Sequence, residues 1–226
     1  MSTVLETPPP RRIRPSRGDG RLPPTLPSTG GDDGRDGDPS PRRIGLDNAI
    51  LATVFLIAAE VMFFAGLVSA FWVLRLGAPV WPPPLQPRLP VGITGVNTLV
   101  LLGSSVAVVA AMRMFRDSRR RAAVRRLQLA GTLGGLFLVV QGYEWLRLIG
   151  FGLTMSSSTY GAAFYTLIGA HGVHVLAALS WLSVTLLLLA RGRFADEHMA
   201  GVRACALYWH FVVALWPILY VSVYLS

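Results

Sequence analysis

Five apolar stretches of spanning length, near residues 46–76, 93–115, 126–149, 160–190 and 203–225, dominate the 226-residue chain and leave little room for anything else. A hydrocarbon core of ~30 Å takes about 20 helical residues per crossing, and each of these stretches is long enough. Strands in the same place would leave backbone groups unpaired in lipid, so the stretches read as helices. The expected fold is all-α, a polytopic bundle of five transmembrane helices over residues 46–226. Composition agrees: 52% of residues are hydrophobic, 15% are charged, and mean hydropathy is +0.49, which is too apolar for a water-soluble domain of this length.

Residues 1–45 are of another kind. They hold 9 of the 16 prolines and 7 of the 23 glycines, with mixed charge and few aromatic or β-branched residues. Such a segment buries too little apolar surface to offset its ordering entropy, so it reads as a disordered tail. It has no continuous apolar run of the secretory kind, and its amino terminus is expected to stay on the side of synthesis. The single cysteine, Cys205, excludes an internal disulfide and a four-cysteine metal site.

The net charge of +9 comes from 21 basic residues, all arginine, whose placement orients the bundle. Arg35, Arg42, Arg43, the seven arginines from Arg113 to Arg126, and Arg191, Arg193 and Arg203 fall on one side, against Arg75, Arg88 and Arg147 on the other. Thirteen against three places the amino terminus and the two basic connectors in the cytoplasm and the carboxyl terminus outside. That asymmetry accounts for "RRRAAVRR" without a nucleic-acid partner. Trp72, Trp81, Trp145 and Tyr160 fall at the predicted outer boundary, where interfacial aromatics collect. Inverted repeats, the usual architecture of secondary transporters, are not visible.

Ionisable groups at mid-bilayer cost on the order of 2.5–3.5 kcal/mol each, so every one needs a partner or a purpose. Five qualify: Glu60, Glu144, His171, His174 and His210. At ~1.5 Å rise per residue, Glu60 and His171 reach similar depths near the midplane, while Glu144 lies roughly 27 Å from Arg126, near the outer surface. Arg147, three residues on, is the natural partner of Glu144. His171 and His174, also three apart, share a helix face, and His210 is a conceivable third nitrogen for a metal. A haem between helices needs ligands facing each other across a pocket, which two neighbours on one helix do not provide. Hydrogen-bonded histidines that lock helices together are therefore the favoured reading, ahead of a metal or haem site and of a proton relay. His198 falls in a connector. Gly131 with Gly135, and Ala65 with Ser69, have the small-xxx-small spacing of closely packed membrane helices. Pro217 removes one backbone donor inside the last helix.

Several stretches are distinctive as a set: "AEVMFFAGLVSAFW" (59–72), "WPP" (81–83), "NTLVLLGSS" (97–105), "QGYEW" (141–145), "YGAAFYTLIGAHGVHV" (160–175) and "YWHFVVALW" (208–216). In this order they resemble subunit III of the haem-copper oxidases over residues 46–226, in the short, five-helix bacterial form without the two extra leading helices of the longer form. The resemblance implies a non-redox accessory subunit of a respiratory terminal oxidase, with no catalytic residue and no metal or other cofactor of its own. Haem and copper are then expected in the partner catalytic subunit I, with subunit II bound through it. Phospholipid is expected against this chain, at residues the motifs do not assign. The complex reduces oxygen and moves protons across a bacterial cytoplasmic membrane. Glu60 matches the family's buried carbodiimide-reactive glutamate, His171 and His174 its "HGxHV" pair, Glu144 its "Q-x-x-E" glutamate and His210 its "WHF" histidine.

The family usually continues "HFVD", and Val213 stands here in place of the aspartate. Companion subunits of quinol oxidases and nitric oxide reductases share the five-helix pattern. A small membrane cytochrome b and a proton-coupled carrier are the rival classes; the first predicts haem absorbance in the isolated chain, the second transport by the chain alone. From the residues themselves, Glu60 is expected to hydrogen-bond His171 or His174 and so to join the first and fourth helices.

Overall fold

The computed structural model describes residues 48–83, 89–191 and 199–225. The tail reading for residues 1–45, and Arg35, Arg42, Arg43, Arg88, Arg193 and His198, lie outside the described residues. Five helices occupy the described chain: α1 (Asn48–Gly77), α2 (Val91–Arg116), α3 (Arg120–Gly150), α4 (Thr159–Ala190) and α5 (Met199–Tyr224). All five are long and apolar enough to cross a membrane. They match the expected spans, with one instructive difference. The basic stretch expected to be a connector is almost entirely helical, since α3 begins at Arg120, and only Asp117–Arg119 turn the chain, with Ser118 at φ 58°. Arginine and alanine are good helix formers, and arginines at a helix end can extend into water, so continuing the helix costs nothing in lipid. At the start of α4, Ser158 accepts a hydrogen bond from the Gly161 amide at 3.0 Å and caps the helix.

Helices α2, α3, α4 and α5 form a closed four-helix ring, with α2 and α3 as a tight hairpin, and α1 packs outside this ring against α4 and α5. Helix α1 consequently buries only Thr53, Phe64 and Phe71, whereas α5, which touches α1, α2 and α4, is the most buried helix. Lipid tails are as apolar as leucine, so close backbone approach and polar bonds between helices must do what burial does in water. Two indoles supply such bonds. Trp209 and Trp216, 1% and 0% exposed, donate from α5 to Ser104 Oγ at 3.1 Å and Thr98 Oγ1 at 2.8 Å on α2. Asn97 on α2 donates to the Phe137 carbonyl of α3 at 3.1 Å, and Gln141 on α3 donates to the Tyr224 hydroxyl of α5 at 3.1 Å.

The glycines that permit close approach are not the ones their spacing suggested. A Cβ added at Gly131 would make only ordinary contact with Leu182 at 3.7 Å, and one at Gly135 would meet nothing within 4 Å. The tight positions that face a ring on another helix are Gly134, where a Cβ would lie 2.5 Å from the Trp209 ring, and Gly172, where it would lie 2.9 Å from Trp145. Small-residue spacing alone does not reveal which glycine faces a large ring on another helix. The Ala65 and Ser69 pair lines a groove of about 420 Å³ between α1 and α5 instead of a closed seam. The four expected boundary aromatics differ in burial. Trp72 is 36% exposed, but Tyr160 is 4% exposed, in edge contact with Trp81, and Trp145 turns inward onto Gly172. Pro217 sits within continuous α5, where its missing N–H leaves the Val213 carbonyl without its usual partner four residues on.

Candidate functional site

Glu60 sits on α1 twelve residues past Asn48, roughly 18 Å along the helix at ~1.5 Å per residue, and it looks into the seam where α1 meets α4 and α5. Its Oε1 accepts a hydrogen bond from the Tyr208 hydroxyl of α5 at 3.0 Å and lies 3.7 Å from Nε2 of His174 on α4. The carboxylate thus bridges three helices. Its side chain is 12% exposed and its Oε2 is buried with no partner among the described residues. Phe63 and Phe64, the residues of the "FF" step, flank His174 with ring centroids 6.1 and 5.0 Å away.

His174 Nδ1 lies 2.6 Å from the Ala170 carbonyl, which can only accept, so Nδ1 carries a hydrogen and Nε2 is the nitrogen that faces Glu60. At 3.7 Å, Nε2 and the Glu60 Oε1 are beyond direct hydrogen-bond length.

His171 does not join this group. The i, i+3 offset is about 60° around a helix, and α4 lies on the border between the ring and α1, so the two histidines share the Phe64 ring as a neighbour but otherwise turn to different sides. His171 turns inward, 1% exposed, stacked on Trp216 with centroids 4.9 Å apart and edge-on to Phe137 at 6.5 Å. Neither of its ring nitrogens has a hydrogen-bond partner among the described residues. His210 turns to a third helix, where its Nδ1 is hydrogen-bonded to Ser105 Oγ on α2. Among the described residues, no three His, Cys, Asp or Glu side chains converge into a cluster that could hold a metal ion. Glu144 pairs with Arg147 at 3.5 Å within α3, the carboxylate 5% and the guanidinium 45% exposed.

Three contributors escaped the sequence reading. Tyr208, Trp216 and Gln141 all lie in stretches singled out for their order, but none is charged, and the search for groups that are costly at mid-bilayer passed over them.

Residues 43–226 match the family described as Cytochrome c oxidase subunit III. The chain belongs to the cytochrome c oxidase subunit III family. It is 36% identical over 178 residues to "Cytochrome c oxidase subunit 3" of Formosania lacustris and 35% identical to that of Struthio camelus, spanning 76% of this chain and 67% of each relative. Subunit III is an accessory, non-catalytic part of the respiratory oxidase. Against the subunit III pattern, Val213 is 2% exposed in the apolar core of the bundle, where an aspartate would be buried among apolar side chains.

Proposed function

We propose that this subunit III supports a bacterial cytochrome c oxidase from the cytoplasmic membrane, bound to the catalytic subunit I and through it to subunit II, with haem and copper confined to those partners. Phospholipid fills the apolar grooves of the bundle. The amino terminus and its tail lie in the cytoplasm and the carboxyl terminus outside. What carries the reading is the arrangement of the membrane histidines. His174 is given to Glu60, His171 to Trp216 and His210 to Ser105, and these polar groups tie neighbouring helices to one another. Glu60 clasps α1 to the ring through Tyr208 and His174, and Glu144 holds the outer end of α3 through Arg147.

Purification of the tagged chain from its native membrane tests this. Recovery of oxidase polypeptides with a haem spectrum is expected. Recovery of a colourless chain by itself would defeat the assignment of partners, and haem absorbance without other polypeptides would favour a membrane cytochrome b. Orientation is read separately by thiol labelling. Asp117→Cys should react only from the cytoplasmic face and Ser156→Cys only from the outer face, with the buried Cys205 silent.

A further inference from the structure

Between α3 and α4 lies a cavity of about 250 Å³ whose walls include Phe137, Gln141, Trp145, His171 and Trp216. Three of these residues carry buried polar atoms with no hydrogen-bond partner among the described residues: both ring nitrogens of His171, Oε1 of Gln141 and Nε1 of Trp145. His171 is 1% and Gln141 4% exposed. An unmade hydrogen bond at a buried group costs roughly 1–3 kcal/mol, and three such residues beside one cavity, their unpartnered atoms buried just behind its wall, would regain those bonds where a side-chain turn brings them onto a hydrogen-bonding occupant. No lining residue is charged, which favours a neutral one. The remaining wall is apolar and aromatic, offering faces and edges to a ring. The volume exceeds what the hydrogen-bonding groups can serve with water, and water does not settle against dry apolar walls. Val173 and Leu176, 67% and 56% exposed, also line the cavity, so it opens toward the lipid-facing side of α4.

We propose that the α3–α4 cavity binds a neutral, ring-bearing amphiphile with a hydroxyl group, taken up laterally from the membrane. The hydroxyl is the group that fits. Trp145 Nε1 only donates, Gln141 Oε1 only accepts, and His171 does either according to its tautomer, so the occupant must both donate and accept. A ketone or ether would leave Gln141 unserved. The site is separate from the Glu60 clasp, and it does not depend on which oxidase the chain joins.

The test uses the chain in the complex with which it purifies, reconstituted in lipid nanodiscs, and a diazirine derivative of 2,6-diisopropylphenol as photolabel. Adducts are expected on the peptides around 137–145 and 168–176. Unlabelled 2,6-diisopropylphenol should compete at about tenfold lower concentration than 1,3-diisopropylbenzene, which has the same ring and lacks the hydroxyl. Gly169 lines the cavity and a Cβ there would meet nothing within 4 Å, so Gly169→Leu fills the space without a first-atom clash and gains helix propensity. It should cut labelling about tenfold. His171→Phe keeps the stack on Trp216 and should shrink the advantage of the phenol over the hydrocarbon by at least about threefold. Labelling spread evenly over all five helices, equal competition by phenol and hydrocarbon, or ordered waters as the sole occupants at saturating phenol would each overturn the proposal.

Discussion

Gly134 and Gly135 are neighbours of identical chemistry on α3, and the structure assigns them opposite responses to one methyl group. At Gly134 a Cβ would lie 2.5 Å from Cη2 and 2.9 Å from Cζ2 of Trp209, a ring that is 1% exposed and held by its bond to Ser104. Overpacking of this kind costs about 1–3 kcal/mol, and loss of one polar bond between membrane helices adds about 0.6. The better helix propensity of alanine returns about 1 kcal/mol, leaving Gly134→Ala destabilised by about 0.6–2.6 kcal/mol. Gly135→Ala meets no atom within 4 Å and keeps only the propensity gain. The two variants should therefore differ by about 1.6–3.6 kcal/mol, which is about 15- to 400-fold in the unfolding constant. Reversible unfolding in mixed micelles with rising dodecyl sulfate, followed by circular dichroism, reads this difference directly. Equal midpoints, or a more stable Gly134→Ala, would refute the reasoning, because Trp209 would then move aside freely.

His174 lies 3.7 Å from Glu60, beyond direct hydrogen-bond length, whereas Tyr208 bonds it at 3.0 Å, so His174→Phe should destabilise the bundle less than Tyr208→Phe in the same micelle titration, and a larger loss would contradict this order. Tyr208→Phe removes the one direct hydrogen bond to Glu60 and should lower stability by about 0.6–1.7 kcal/mol in the same micelle titration. Thr98→Val strands the Trp216 indole and should cost about 1–3 kcal/mol, most of it recovered in the Thr98→Val, Trp216→Phe double variant. Glu60→Gln should shorten the working life of the oxidase during sustained turnover while leaving its initial oxygen-consumption rate near normal, which progress curves at an oxygen electrode will distinguish.

The spans were legible because lipid enforces a single rule, about 20 apolar residues per crossing, and α1 and α4 obey it to within two residues at either end. The start of α3 was misplaced because arginines mark where lipid ends without marking where a helix ends. The five ionisable residues were visible for an energetic reason, and the partner of Glu144 followed from helix spacing alone. The separation of His171 from His174 was not visible, since it depends on α4 standing between the ring and α1, which only the packing defines. Tyr208 and Gln141 are neutral, and neutral hydrogen-bonding residues in a membrane helix give no signal until a structure shows what lies opposite. The same holds for Gly134, whose role exists only because Trp209 stands across from it.

Helix α1 leaves the ribosome before α4 and α5, yet these are the two helices it packs on. During synthesis it must therefore wait in the bilayer with Glu60 uncovered until α5 brings Tyr208 alongside. The docking of α1 thus reports that α5 is in place, and a nascent polypeptide truncated before α5 would display an unsatisfied carboxyl in lipid as a mark for quality-control proteases.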